Sequence, residues 1–238
     1  MNHTSEAPRT LGANQEAEAA DLYRVVHRGL RWGLSHALLA LGAVDLNDSD
    51  ARSDVLTEVA TIVSLCGLHV RHEADFVHEA IGRVSPSLLA TLDHEHDDHF
   101  SQIADLTRRA TVLRHGGSQE QEALRQDLYL RLGSFFAENL EHMRREEEVV
   151  QPLLSAHYST AELADIHMRI VQAIPFDELV SFLRVMLPAI TVQERLALLS
   201  GPKAAMPQQV FAALLWQAST HLTLRDRAVL VERLDEAA

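Results

Sequence analysis

The sequence predicts an all-α protein: an antiparallel four-helix bundle with a C-terminal extension of shorter helices. Along four long segments, apolar residues recur in alternating steps of three and four, which is the spacing of one buried face of a helix. Ala, Leu, Glu and Arg are abundant and favour helix, whereas Gly (10) and Pro (7) are scarce. The connections between the long segments are short, which favours antiparallel neighbours.

The same pattern divides the chain into three parts. Residues 1–16 are polar and are predicted to be a disordered lead-in. Residues 17–156 carry the bundle, and residues 157–238 form a helical extension that packs on the bundle or on a second subunit. Within the bundle, the apolar rows and the breaks place the four helices over about 17–43, 51–82, 86–114 and 119–156.

Two short segments each carry a His followed four residues later by a Glu: His69 with Glu73, and His142 with Glu146. Residues four apart lie on the same face of a helix, so both side chains of a pair can reach one metal ion. Both pairs lie in the apolar row of their helix, where a bundle would otherwise place Leu. A buried carboxylate without a partner is costly, and metal ligation compensates for it. The alternative, a His–Glu pair stabilising an exposed face, does not explain this position in the apolar row.

The other two helices add histidines to the same interior. His27 lies on the apolar face of the first helix, and His96 and His99 lie in the middle of the apolar row of the third. The predicted metal ligands are therefore His27, His69, Glu73, His96, His99, His142 and Glu146. Five imidazoles and two carboxylates suit two six-coordinate iron ions bridged by the carboxylates, with one position open for a small ligand. Zinc is more often four-coordinate and needs fewer ligands.

Four further side chains lie near the predicted ligands in the sequence but are not assigned to the metal. His36 and His78 each lie nine residues past a predicted ligand, about half a turn out of phase, and are expected to face solvent. His72 either orients a ligand or lies at the edge of the surface. Tyr23, one turn before His27, either forms a wall of the open site or is a core residue whose hydroxyl has another partner.

These residues resemble those of the hemerythrin-like (HHE cation-binding) family, over about residues 17–156. The residues that carry the resemblance are His27, His69-x-x-x-Glu73, Glu95-His96, and His142-x-x-x-Glu146 followed by Pro152. The resemblance implies an antiparallel four-helix bundle around a non-haem di-iron centre, with the two iron ions joined by an oxo or hydroxo bridge. Members of that family variously bind oxygen, sense oxygen, redox state or iron, or handle iron and nitric oxide.

The sequence departs from hemerythrins proper at two points. His96 and His99 are three residues apart, where hemerythrins have two third-helix histidines four apart. The last carboxylate is Glu146, four residues after its His, where hemerythrins have an Asp at five. The second departure fits the wider bacterial group of the family, and the first leaves open whether both third-helix histidines bind.

Three functional classes compete on this site. The protein binds or senses dioxygen, another small diatomic or a redox signal; or it is a di-iron redox enzyme, such as an oxidase or a nitric-oxide or peroxide reductase; or it stores or buffers iron. Di-iron oxygenases and ferritin-like sites use more Glu and fewer His than this interior does. No acid or base beyond the ligands stands out, so binding or sensing is favoured over catalysis.

The amino-acid composition limits the classes of partner that this protein is expected to bind. The net charge of −13 disfavours nucleic acid, which needs a basic footprint, and anionic membranes. No apolar run reaches the roughly 18 residues of a membrane span, and the first residues lack the apolar core of a signal peptide, so a cytoplasmic location is expected. The C-terminal helices are predicted to offer a homodimer contact.

Overall fold

The computed structural model describes residues 20–116 and 120–236. All regular structure in these two ranges is helical, which confirms the predicted all-α class. The predicted disordered lead-in, 1–16, lies outside the described residues. The described elements are α1 (Arg24–Ala43), α2 (Ser49–Phe76), α3 (His78–Val84), α4 (Pro86–His115), α5 (Gln121–Arg145), a π-helical turn (Glu146–Val150), α6 (Gln151–His157), α7 (Thr160–Ala173), α8 (Phe176–Ala189), α9 (Val192–Ala205), α10 (Gln208–Ala218) and α11 (Leu224–Glu236).

The four long helices pack in a closed ring. Helix α1 contacts α2 and α5, and α4 contacts the same two helices from the other side. The apolar rows meet in the middle, where Leu34, Leu113, Leu128 and Phe135 are fully buried. Burying each such side chain stabilises the fold by about 1.5–3 kcal/mol relative to leaving it in water. The ring is therefore held by the residues whose spacing predicted it.

The C-terminal helix α8 lies along α1 and joins this core. Its Phe182 and Val185 belong to the same buried cluster as the apolar residues of the ring. Close approach is possible because α1 presents Gly29 to α8: a Cβ at Gly29 would lie 2.8 Å from Cγ of Met186 and 3.1 Å from its Cα. Helix α1 thus has neighbours on three sides. The residues of α1 that stay exposed are His36, Leu39, Gly42 and Ala43.

The remaining C-terminal helices have a core of their own. Helix α8 contacts α10, and α9 contacts α10 and α11. Leu187, Leu199, Leu214 and Leu230 are fully buried between them. An ion pair fastens this segment to α1, since Arg28 Nη1 lies 2.7 Å from Oε1 of Glu194.

The second predicted helix is interrupted. It was expected to run continuously to about residue 82, but α2 ends at Phe76 and α3 begins at His78. Between them Val77 has φ −106° and ψ −36°, at the margin of helical geometry. The interruption rotates the following side chains relative to those of α2. His78, expected to face solvent, is consequently buried, at 8% exposure.

The first and fourth helices differ from the prediction in smaller ways. Residues 20–23 are not helical, so α1 begins at Arg24 rather than near 17. The fourth helix passes through the π-helical turn, in which the Gln151 N–H donates to the carbonyl of Glu146, five residues earlier. Pro152 explains the wider turn, because its ring would press on the carbonyl of Glu148 in a regular α-helix. Such turns are frequent at functional sites, and this one begins at a predicted ligand.

Helix α2 is, among the described helices, the one long and apolar enough to cross a membrane by length and composition. Half of its most apolar stretch is buried inside the protein, against the other helices of the ring. This burial is compatible with the core helix of a soluble protein.

Candidate metal centre

Six of the seven predicted ligands converge inside the ring of long helices. They form two groups that share their carboxylates: the first group is His27, His69, Glu73 and Glu146, and the second group is Glu73, His96, His142 and Glu146. In each group one ligand atom from every residue lies within 4.8 Å of the others, and all six side chains are buried. Helices α1 and α2 supply the imidazoles of the first group, and α4 and α5 supply those of the second.

Both carboxylates reach across the two groups. Oε2 of Glu146 lies 3.2 Å from Nε2 of His27, and its Oε1 lies 3.2 Å from Nε2 of His142. Glu73 is placed in the same way: its Oε1 lies 3.3 Å from Nε2 of His69, and its Oε2 lies 3.4 Å from Nε2 of His96. Each carboxylate therefore offers one oxygen to each group, which is the geometry of a carboxylate that bridges two ions.

The imidazole spacing within each group fits a shared ion. Nε2 of His27 and Nε2 of His69 are 3.0 Å apart, and the corresponding atoms of His96 and His142 are 3.2 Å apart. Two imidazole nitrogens bound at about 2.1 Å would be about 3.0 Å apart at a right angle and about 3.4 Å apart at the tetrahedral angle. Both observed distances lie in this range, so a single cation can sit between the nitrogens of each pair.

Three of the four oxygens of these two carboxylates lack the hydrogen bonds that a metal-free interior would need. Among the described residues, neither oxygen of Glu73 nor Oε2 of Glu146 accepts a hydrogen bond, although all three atoms are buried. Burial and the charge of Glu146 raise the pKa of Glu73. Burial also raises the pKa of Glu146, but His142 and His27 outweigh it and the pKa is lowered. Leaving a carboxylate in this state costs several kcal/mol, and a pair of cations would remove the cost.

Most of the buried imidazoles are neutral, as metal ligands must be. Burial, with the nearby His142, lowers the pKa of His96 to about 3 and that of His99 to about 4. Burial and the charge of His27 lower the pKa of His69 as well. His142 differs: burial lowers its pKa, but the adjacent Glu146 more than reverses this and raises it. A cation in the second group would displace that proton.

His99, the seventh predicted ligand, lies beside the second group without converging on it. Its ring is buried and packs edge-on against His142, with centroids 4.8 Å apart, and its Nδ1 has no hydrogen-bond partner among the described residues. Among the described residues, neither group of converging ligand atoms includes His99. Ligation by His99 stays a prediction.

Tyr23 closes the first group. It is buried, and its ring centroid lies 5.2 Å from that of His27. Burial, followed by the charges of Glu146 and Glu73, raises its pKa, which keeps the hydroxyl protonated at neutral pH. Of the two interpretations of Tyr23 from the sequence, this position favours a wall of the site.

Two further carboxylates, Glu147 and Glu95, lie against the outer nitrogens of two predicted ligands; neither was among the predicted ligands, although Glu95 is one of the residues that carry the resemblance. Oε1 of Glu147 lies 3.0 Å from Nδ1 of His27, and Glu147 is itself paired with Arg31. Burial raises the pKa of Glu147, but the hydrogen bonds from His27 and Arg31 outweigh it and lower the pKa to about 2. In the second group, Oε2 of Glu95 lies 2.8 Å from Nδ1 of His142. Spacing along one helix gives no signal for contacts of this kind, which join different helices.

His78 also lies closer to the site than expected. Its ring stacks on that of His96, with centroids 4.9 Å apart and 20° between the planes, and its Nδ1 is 3.0 Å from Oδ1 of Asp93. His72 is half-buried near Phe182, with ring centroids 6.1 Å apart, outside both groups. His78 therefore supports the second group by packing, as a consequence of the helix break at Val77.

Comparison with known proteins adds no family. No family model matches the chain, and no curated protein sequence matches it. The functional assignment therefore depends on the geometry of the buried His and Glu side chains.

We expect His96 and His99 to differ when each is replaced by Ala. His96→Ala removes one of the two imidazoles of the second group, so the content of bound metal should fall by about one ion per chain. His99→Ala should keep the metal content but change the absorbance spectrum of the metal-loaded protein, because an adjacent ring is lost. Metal analysis and absorbance spectra of the two variants test this, with the exposed His94→Ala on the same helix as the control. Equal loss of metal in both variants would show that His99 is a full ligand.

Proposed function

We propose that the chain is a hemerythrin-like, non-haem di-iron protein that binds or senses dioxygen, another small diatomic or a redox signal. One observation carries the proposal: two groups of buried ligand atoms share both of their carboxylates, one oxygen to each group. The ring of four long helices is the packing expected of an antiparallel four-helix bundle, the architecture in which carboxylate-bridged metal pairs are commonly built.

The donor set fits two ions with room for a further ligand. Each group offers two imidazole nitrogens and two carboxylate oxygens, and His99 would add a third nitrogen to the second group. Imidazole with carboxylate suits iron, and the resemblance to hemerythrin-like proteins favours iron over other ions of similar size. When bound, the two irons would supply electrons and a binding position to a small oxidant or diatomic molecule. The protein residues would hold the ions, and burial lowers the pKa values of His69 and His96, which favours their neutral, metal-binding form.

Burial limits what can reach the centre. The six converging side chains are between 0% and 7% exposed, and Tyr23 covers the first group. A molecule of a few atoms can enter such an interior, whereas a larger substrate would require the helices to separate. Charged solutes are disfavoured for the same reason, because they would lose their hydration. The enclosure supports a diatomic as the partner.

The sensing form of the proposal also has a structural basis. Helix α1 carries His27 on one face and contacts α8 on another, so the C-terminal helices touch a ligand-bearing helix directly. A homodimer through the C-terminal helices stays a prediction. The exposed Trp216 and Leu224, at 68% and 86% exposure, are the apolar side chains that it would cover.

The decisive measurement is the reaction of the reduced, iron-loaded protein with air. We expect about two iron ions per chain and a ligand-to-metal charge-transfer band in the visible that appears on mixing. The band should persist for seconds or longer, or decay to the ferric state without consuming a co-substrate. Stopped-flow absorbance with and without a reductant measures this. Absence of iron would refute the site, and sustained consumption of oxygen, peroxide or nitric oxide would replace binding by catalysis.

A further inference from the structure

Three consecutive residues, where α5 ends and the π-helical turn begins, have three different partners. The middle residue, Glu146, is the carboxylate that reaches both groups. Arg145, before it, is paired with Glu95 on α4. Glu147, after it, reaches His27 and Arg31 on α1. The segment 145–147 therefore ties α5 to both of its neighbours in the ring at the level of the centre.

We infer that Glu147 and Glu95 are positioning residues, each serving one metal position: Glu147 orients His27 in the first group, and Glu95 orients His142 in the second. The inference rests on the proposed two-metal centre and assigns a separate supporting carboxylate to each metal position. Each carboxylate lies within hydrogen-bond distance of Nδ1 of its imidazole, which directs the opposite nitrogen, Nε2, toward the place where a cation would bind between it and the shared carboxylates.

An arginine holds each of these carboxylates in turn. Nη1 and Nη2 of Arg31 donate to the two oxygens of Glu147 at 2.6 Å and 3.2 Å, a two-point contact that fixes the plane of the carboxylate. Glu95 is held by Arg145 in the same role. The charge on the carboxylate makes the imidazole a better donor to a cation. By contrast, Nδ1 of His96 is buried and has no hydrogen-bond partner among the described residues.

The two supports consist of different residues. Glu147, held by Arg31, contacts His27 of the first group, whereas Glu95, held by Arg145, contacts His142 of the second group. The two supports have no side chain in common, and each meets a different imidazole. Loss of one support should therefore weaken one metal position and leave the other close to its original affinity.

Cobalt titration of the full chain tests whether each supporting carboxylate affects one metal position and not the other. Co²⁺ is added to metal-free protein in competition with a chelator, and the affinity of each of the two equivalents is measured for the parent chain, Glu147→Gln and Glu95→Gln. Each variant should bind one equivalent about 10–100-fold more weakly and keep the other. Gln retains an oxygen that accepts the Nδ1–H bond but lacks the charge, so Glu147→Ala should lose more than Glu147→Gln.

Two readouts separate positioning from a general loss of structure. The cobalt-shifted proton resonance of the Nδ1–H on His27 should move or disappear in Glu147→Gln and stay in Glu95→Gln, with the reverse for His142. The exposed Glu148→Gln should behave as the parent. If the parent binds fewer than two equivalents, the two-metal centre itself is wrong. If the parent binds two and the Gln variants bind both as tightly, or lose both equally, the positioning inference is overturned.

Discussion

Replacing Glu146 by Ala should reduce the iron content from about two ions per chain to nearly none. Glu146 gives one oxygen to each group, so its removal damages both positions, and no neighbouring side chain occupies the same place. Metal binding is coupled to folding, so added iron should raise the thermal unfolding temperature of the parent but not of the variant. Metal analysis and thermal unfolding with and without iron provide the two measurements.

Glu148, two residues further along the chain, supplies a matched control for Glu146→Ala. Glu148→Ala changes an exposed carboxylate in the same π-helical turn and should leave the iron content unchanged. The iron content of His142→Ala should lie between those of Glu146→Ala and Glu148→Ala. This substitution removes an imidazole from the second group alone and should empty that group first. Full iron occupancy in Glu146→Ala would refute the metal centre, whatever its effect on stability.

The substitution Gly29→Ala should lower the stability of the whole protein by about 1–3 kcal/mol, the usual cost of adding atoms to a packed interior. A Cβ at this position would lie 3.1 Å from both the Cα and the N of Met186, so the backbone of α8 would have to move away from α1. For a chain of this size, each kcal/mol corresponds to roughly 2–4 °C in the unfolding temperature. Denaturant and thermal unfolding of the purified variant measure the loss.

A Gly→Ala substitution at a second position should raise the stability of the protein instead of lowering it. Gly133 lies within α5, and a Cβ there would meet nothing within 4 Å. Gly133→Ala should therefore stabilise the protein by about 0.5–1 kcal/mol, because Ala is the better helix former. Iron content should be unchanged in both variants, since Gly29 lies on the side of α1 opposite His27. If Gly29→Ala were as stabilising as Gly133→Ala, the packing of α8 on α1 would be refuted.

Hydrophobic periodicity predicted the parts of this structure that depend on one helix at a time. The all-α class follows from it, and so does the inward direction of His69 and Glu73, which occupy positions in an apolar row. It could not predict the break at Val77, because no Gly or Pro marks that position and the preceding helix could have continued. The prediction that His78 faces solvent was wrong for this reason.

The other differences between the prediction and the structure depend on how the helices are aligned with one another. Glu147 meets a histidine 120 residues away, and Glu95 meets one 47 residues away, so their roles depend on how the helices are aligned. Periodicity gives the direction of a side chain but not its distance from the ligands on neighbouring helices, and it therefore did not separate His99 from His96. Pro152 was visible in the sequence, but its effect, a π-helical turn beginning at Glu146, depends on hydrogen bonds that periodicity does not describe.

The enclosure of α1 also constrains how this sequence can diverge. One face of the helix carries His27, another lies in the common core, and a third accepts α8, so just four of its 20 residues are exposed. By contrast, α4 has exposed residues along its whole length. Neutral substitutions accumulate mainly at exposed positions, because changes there alter stability little. Among descendants of this chain, α1 should therefore be the slowest of the long helices to change, even at positions far from the centre.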